Sequence, residues 1–410
     1  MSHREPASKK VALILAGGAA RGAYEVGVVA YLLDEVSRAL GRDVPLDILC
    51  GTSVGALNVA MLAAYADEPR ERGQRLMEVW RGLRIGALVK SDLRGLLAGS
   101  RALLDASGLE RLVADKIPFP RIGENLARGL LSAVTMSTTH VATGKTVVFV
   151  QRTEAAIPGD AAAPRRSLLP WSHEPTSEPR VATLTEHHAL ASAAIPILFR
   201  PVLIDGQYHC DGGLRQNVPF SPARRLGADG LLIVNPRHAQ SALPEAAAPE
   251  EEPRPGPLLL FGKALNSLLL DRLDTDLSRL EGINRLLSAG TRRFGPNFVD
   301  AINQELGRTE TPKIRPLTTL LVRASEDIGK MSVDFVRSPR FQGRVSRPLA
   351  RVMRHLADAG GDSESDLLSY VLFDGEFASE LIELGRRDAQ SRHDELCTFF
   401  ETMATHDARA

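Results

Sequence analysis

The stretch Leu46-Asp47-Ile48-Leu49-Cys50-Gly51-Thr52-Ser53-Val54-Gly55 runs from a short apolar segment into a serine flanked by glycines. Pro45 bounds the segment on its N-terminal side, and its length and character predict a buried strand over 46–50. Behind the serine, Ala56 to Tyr65 holds many helix formers and no breaker. A G-x-S-x-G between a strand and a helix is the setting of a nucleophile elbow. Gly51 and Gly55 let the backbone turn sharply and let neighbours approach, which exposes the Ser53 hydroxyl. The helix that begins there points free N–H groups and its positive dipole end at the serine. The bare pattern arises by chance in a Gly-rich chain, but the strand–turn–helix setting selects Ser53 as the candidate nucleophile.

Upstream, Val11 to Ala16 is apolar on both faces and reads as a buried strand of a parallel sheet. It feeds Gly17-Gly18-Ala19-Ala20-Arg21-Gly22 and then an amphipathic helix, with Tyr24, Val28, Leu32, Val36 and Leu40 recurring every fourth position. A glycine-rich turn at a helix N-terminus offers backbone N–H groups to an anion. A dinucleotide fingerprint is broken, because Ala19 stands where its second glycine belongs, and no Gly-Lys-Ser/Thr follows for a nucleotide-phosphate loop. With a nucleophilic serine on the next strand, the better use is an oxyanion hole built from Gly17, Gly18 and Ala19. Arg21 and Gly22 support that loop, Arg21 as a structural cation.

Downstream, Leu131–Met136 and Lys145–Val150 read as two strands joined by a turn at Thr143-Gly144, with His140 beside it. A proline-rich stretch over 151–179 follows and contains Trp171; its composition predicts a long loop or insertion. Leu184 to Ala194 predicts a short helix ended by Pro196, carrying His187 and His188. Asp205-Gly206 is a two-residue hairpin turn between Val202–Ile204 and Gln207–Cys210, and the hairpin delivers Asp211-Gly212-Gly213. Leu231–Val234 is a further buried strand. Two bases compete for the serine: Asp211, whose neighbouring glycines leave its carboxylate free to reach, and His209, two residues earlier on the same strand face. The residues alone leave that choice open.

Taken in order, Gly17-Gly18-Ala19-Ala20-Arg21-Gly22, Gly51-Thr52-Ser53-Val54-Gly55 and Asp211-Gly212 resemble the three signatures of the patatin-like phospholipase family. Ala191-Ser192-Ala193-Ala194-Ile195-Pro196 is similar to that family's lead-in to the aspartate, and the resemblance covers roughly residues 9 to 236. It implies an α/β fold: a three-layer domain with a mostly parallel central sheet, followed here by a largely helical C-terminal region. It also implies a Ser53–Asp211 dyad without a catalytic histidine, and metal-independent hydrolysis of phospholipid, lysophospholipid or other lipid esters. No cofactor is expected. The departure is Ala19, where the family commonly has a third glycine; a Cβ there restricts φ and crowds the hole.

Lysine plus arginine and aspartate plus glutamate both number 50, which gives no argument for a nucleic-acid partner. Cys50, Cys210 and Cys397 are too scattered for a disulfide framework or a zinc site and suit a reducing compartment. Apolar runs are too short for a signal core or a membrane span, so the expectation is a cytoplasmic protein in transient contact with membrane surfaces. The expected organisation is a tail over 1–8, a catalytic domain over 9–240, a flexible linker over 241–257 and a mostly helical region over 258–410. Within that last region, Leu265, Leu269, Leu273, Leu277 and Leu280 mark an amphipathic helix whose balanced charge favours packing on the catalytic domain over lying on anionic lipid. Leu367–Phe373 leads to a further helix over 376–387, and these helices also offer an oligomer interface. The alternative to a lipid hydrolase is a catalytically quiet patatin-like protein that binds lipid or a protein partner.

Overall fold

The computed structural model describes residues 9–88, 90–91, 104–153, 176–238, 273–307, 313–358 and 362–404. The tail, most of the proline-rich stretch with Trp171, the linker and the first part of the leucine-striped helix lie outside the described residues.

The strands are β1 (Val11–Leu15), β2 (Ile48–Thr52), a small ribbon of β3 (Lys90–Ser91) and β4 (Leu104–Asp105), β5 (Ala133–His140), β6 (Thr146–Arg152), β7 (Ser177–Val181), β8 (Val202–Ile204), β9 (Gln207–Asp211), β10 (Gly230–Asn235) and β11 (Thr318–Arg323). All but the ribbon join one sheet in the order β11-β10-β1-β2-β5-β6-β7, with β9 on the far end of β5 and β8 on β9. The run from β11 to β5 is parallel, and β6 turns back antiparallel to β5. β1, β2 and β10 are buried along their whole length, as strands covered on both faces must be. β2 begins two residues later than expected and carries the strand through Gly51 and Thr52 up to the serine.

Helices cover both faces. Those of six or more residues are α1 (Gly22–Tyr31), α2 (Val54–Ala64), α3 (Glu71–Arg81), α4 (Ser107–Lys116), α5 (Pro120–Ala127), α6 (Glu186–Ser192), α7 (Phe220–Arg225), α8 (Leu273–Phe294), α9 (Phe298–Glu305), α10 (Ile328–Arg337), α11 (Arg347–Asp358), α12 (Asp362–Val371), α13 (Gly375–Ser391) and α14 (His393–Ala404). Side chains alternate across the sheet. Leu13, Leu15 and Leu49 therefore join a core with α1, α2, α13 and α14, while Ala12, Ile14 and Ile48 join another with Ala223, Leu273 and Leu280. The described part of the leucine-striped helix thus packs on the sheet. α1 is buried all round, Glu25 included, rather than amphipathic.

The C-terminal half is bound into this architecture. β11 extends the parallel sheet beside β10, and α13 lies on α1. The approach of these helices depends on two glycines: a methyl on Gly27 would run into the Ile382 carbonyl, and one on Gly385 into the Tyr24 carbonyl. Backbone on both sides leaves little freedom to yield, so Gly385→Ala should lower stability by about 2–3 kcal/mol in urea unfolding. A loss below about 0.5 kcal/mol would show that the two helices separate readily.

Candidate active site

β5 works as a ruler that brings two distant segments together. Its residue Ser137 pairs with Thr52 at the end of β2, and the next residue, Thr138, pairs with Asp211 at the end of β9. Ser53 follows Thr52 directly, so consecutive positions on one strand place the serine beside the aspartate. The Ser53 hydroxyl donates to Asp211 Oδ2 at 2.6 Å, and the Gly213 N–H donates to Oδ1 at 2.7 Å. Both residues are buried, with Ser53 3 % and Asp211 1 % exposed.

Ser53 adopts φ 55°, ψ −128°, at the N-terminal end of α2. A non-glycine residue with positive φ is strained, and such strain needs support from its surroundings. The flanking glycines give part of it, because a methyl on Gly51 would meet the Gly55 carbonyl and one on Gly55 the Leu15 carbonyl. Ser192, at the end of α6, gives the rest. Its hydroxyl accepts the Ser53 N–H at 2.9 Å and donates to the Ser137 carbonyl at 2.6 Å, tying the elbow to β5. Sequence reasoning quoted Ser192 only as part of a lead-in. Its signal was a small hydroxyl side chain within an alanine run, and small residues are common wherever elements pack closely.

The glycine loop lies against Ser53: a methyl on Gly17 would stand 3.1 Å from its Cβ. The Gly17 N–H donates to the Asn217 carbonyl at 3.1 Å, whereas no described residue accepts from the N–H of Gly18 or Ala19. Of the three expected oxyanion donors, Gly17 therefore has its N–H engaged elsewhere. Ala19 takes φ 48°, a left-handed conformation that costs a Cβ-bearing residue about 1 kcal/mol and that a glycine would take freely. Arg21 is buried. Its Nε donates to Ser369 Oγ at 2.7 Å, its Nη2 pairs with Asp366, and its guanidinium lies 4.3 Å from the centre of the Tyr370 ring. The loop is thus held by α12 of the C-terminal half.

The histidines go elsewhere. His209 is buried, with Nδ1 3.0 Å from Thr138 Oγ1 and its ring against Phe149, and burial pushes its pKa down to about 4. His188 caps α6 through Thr185, and burial likewise lowers it to about 4. His187 lies on the exposed side near Glu186, and His140 meets Thr143 at its turn. Of the two residues, Asp211 touches the serine, whereas His209 is bonded to Thr138.

An apolar cluster of Ala19, Ile195, Leu198, Phe199, Leu356 and Tyr370, among others, borders the loop and draws on both halves of the chain. A cavity of about 60 Å³ is lined by Val54, the residue after the serine, together with Leu57, Met61, Trp80, Leu109 and Phe373. Among the described residues, no group of three or more His, Cys, Asp and Glu is placed to hold a metal ion, and no helix is long and apolar enough to cross a membrane.

The sequence model of the patatin-like phospholipase family matches residues 13–224, and the chain belongs to that family. A cGAMP-activated phospholipase from Pseudomonas aeruginosa (strain BWHPSA011 / Pa011) is 29 % identical over 209 residues, covering 50 % of this chain and 53 % of that protein. The chain thus spans about half the length of this curated relative. VipD from Legionella pneumophila, a solved structure, aligns over 92 % of this chain and 67 % of its own at 12 % identity, with a TM-score of 0.29.

Burial raises the Asp211 carboxyl to about 7, against the lowering effect of the hydrogen bonds from Ser53 and Gly213. From the ordinary value of 3.8 up to about 7, the unfolded chain releases this proton while the folded chain keeps it, so folding stability falls across that window. Below the window both states hold the proton, and above it neither does. The stability of Asp211→Asn relative to wild type should therefore climb between these limits and level off above them in urea unfolding at stepped pH. A difference flat in pH would contradict the raised carboxyl.

Proposed function

We propose that the protein is a serine acyl hydrolase of the phospholipase A or lysophospholipase type, with Ser53 as nucleophile and Asp211 as base. The observation that carries this reading is the 2.6 Å hydrogen bond from the Ser53 hydroxyl to a buried carboxylate whose pKa is raised to about 7. A base works best with a pKa near the working pH, and Asp211 has been brought there by removal of water. Family membership supports a lipid ester as substrate, and the apolar cavity beside Val54 suits an alkyl chain better than a polar group.

In the first half-reaction Ser53 Oγ attacks the ester carbonyl carbon and its proton passes to Asp211 Oδ2. The oxygen of the tetrahedral intermediate becomes negative and is met by the N–H groups of Gly18 and Ala19, each such donor contributing about 3–4 kcal/mol in other hydrolases. Collapse breaks the bond to the leaving alcohol, which takes the proton from Asp211, and an acyl-serine remains. A water then gives its proton to Asp211 and attacks the acyl carbon. Ser53 leaves with that proton restored, and the fatty acid is released. Neutral His209, bound to Thr138, has no part in these transfers. Arg21 serves as a positioning residue for the loop.

Free fatty acid release from phospholipid vesicles and lysophospholipid micelles, measured with chelator present, tests the reading. Ser53→Ala and Asp211→Asn should each lower kcat/KM by at least about a thousandfold with the fold intact. His209→Ala should stay within about tenfold of wild type, since its contacts are structural. Full activity in Asp211→Asn, or no release by wild type from any lipid ester, would overturn it.

A further inference from the structure

The segment from Arg337 to Arg354 carries six arginines, and they fall into two groups. Arg337 pairs with Asp358, Arg340 with Glu380, and Arg344 with Asp374 and Glu376. Arg347, Arg351 and Arg354 are exposed on α11 and have no ion-pair or hydrogen-bond partner among the described residues. Their spacing of four and three places all three within an arc of about 60° on the helix surface. In a chain with equal numbers of acidic and basic residues, this is a concentrated, unneutralised positive stripe.

The opposite side of the same helix is apolar. Met353, Leu356 and Ala357 are buried, and Leu356, half a turn away from Arg347, enters the cluster that contains Ala19 of the glycine loop together with Ile195 and Phe199. The stripe is therefore carried on the outer surface of an element whose inner surface borders the Ser53 site. Ile197, on the loop that supplies Ile195 and Phe199 to that cluster, is 58 % exposed and adds an apolar point beside it. Unpaired arginines over such a site complement a negatively charged bilayer surface, which attracts each lysine or arginine near it.

We propose that the Arg347–Arg351–Arg354 face of α11 docks the protein on anionic phospholipid surfaces and so presents the Ser53 site to lipid. The choice of a lipid surface over another polyanion rests on the proposed hydrolase activity, but the docking itself does not require catalysis. Because the apolar side of α11 is occupied by the protein's own core, binding is electrostatic and sensitive to salt.

The test is vesicle flotation with Ser53→Ala protein, which leaves the lipid intact, compared with the same protein carrying Arg347→Gln, Arg351→Gln and Arg354→Gln. The vesicles are phosphatidylcholine alone, or phosphatidylcholine with about one third phosphatidylserine. Matched thermal unfolding of the two proteins guards against a folding artefact. Partitioning onto the phosphatidylserine vesicles should exceed that onto phosphatidylcholine, fall at about 0.5 M salt, and drop about a hundredfold in the triple variant, roughly fivefold per arginine. Labelled duplex DNA should not bind under the same conditions. On the Ser53 background, the triple variant should hydrolyse a soluble short-chain ester at the wild-type rate. Equal binding to both vesicle types, undiminished binding by the triple variant, or stripe-dependent binding of DNA without binding of vesicles would overturn the proposal. Stripe-dependent vesicle binding by a protein that hydrolyses no ester would uphold docking and remove the hydrolase reading. Hydrolysis without a preference for phosphatidylserine would do the reverse.

Discussion

A carboxylate kept from water and bonded to one serine hydroxyl is the constraint from which the rest of the structure follows. Among the described residues the Asp211 carboxylate accepts two hydrogen bonds, from Ser53 and Gly213, and its burial raises its affinity for a proton. Keeping such a group in place is costly, and the surrounding backbone secures it. The Asp211 N–H is held by the Ala194 carbonyl, and its own carbonyl by the Thr139 hydroxyl. The serine is fixed as firmly, between a strained elbow and the Ser192 hydroxyl. Neither residue can move far without breaking the pairing of β5 with β2 and β9, so the geometry of the Ser53–Asp211 pair is a property of the sheet.

The glycine loop depends on the other half of the chain. Its backbone turns past Ser53 through a left-handed Ala19, and Arg21 anchors it to Asp366, Ser369 and Tyr370 on α12. Close packing of α13 on α1 and addition of β11 to the sheet bind that half to the strands that carry the serine. A disturbance in the C-terminal helices has a short physical path to the Gly18 and Ala19 N–H groups: through the Arg21 cluster and through the apolar side chains around Leu356.

Sequence reasoning reached much of this because local patterns and tertiary demands agree at the elbow. A buried strand, two glycines and a breaker-free helix have few other arrangements, and the Asp205-Gly206 turn forms with φ 49° and 75°, as a two-residue hairpin requires. Where local signals were silent, reading stopped. His209 and Asp211 share a strand, and only the register against β5 and the partners of each side chain separate them. Engagement of the Gly17 N–H by Asn217 joins residues two hundred positions apart and leaves no local trace. β11 is a half-buried strand in a helical region, placed by pairing with β10. The arginines of α11 are visible as letters, but which of them are neutralised depends on acids supplied by other segments.

The central claim is that Asp211 activates Ser53, and the rate of Ser53 labelling by a fluorophosphonate as a function of pH tests it most directly. The account predicts a rate that rises through an apparent pKa of about 7, with the adduct on Ser53 and labelling lost in Asp211→Asn but kept in His209→Ala. Unchanged labelling in Asp211→Asn, or its loss in His209→Ala with the fold intact, would contradict it.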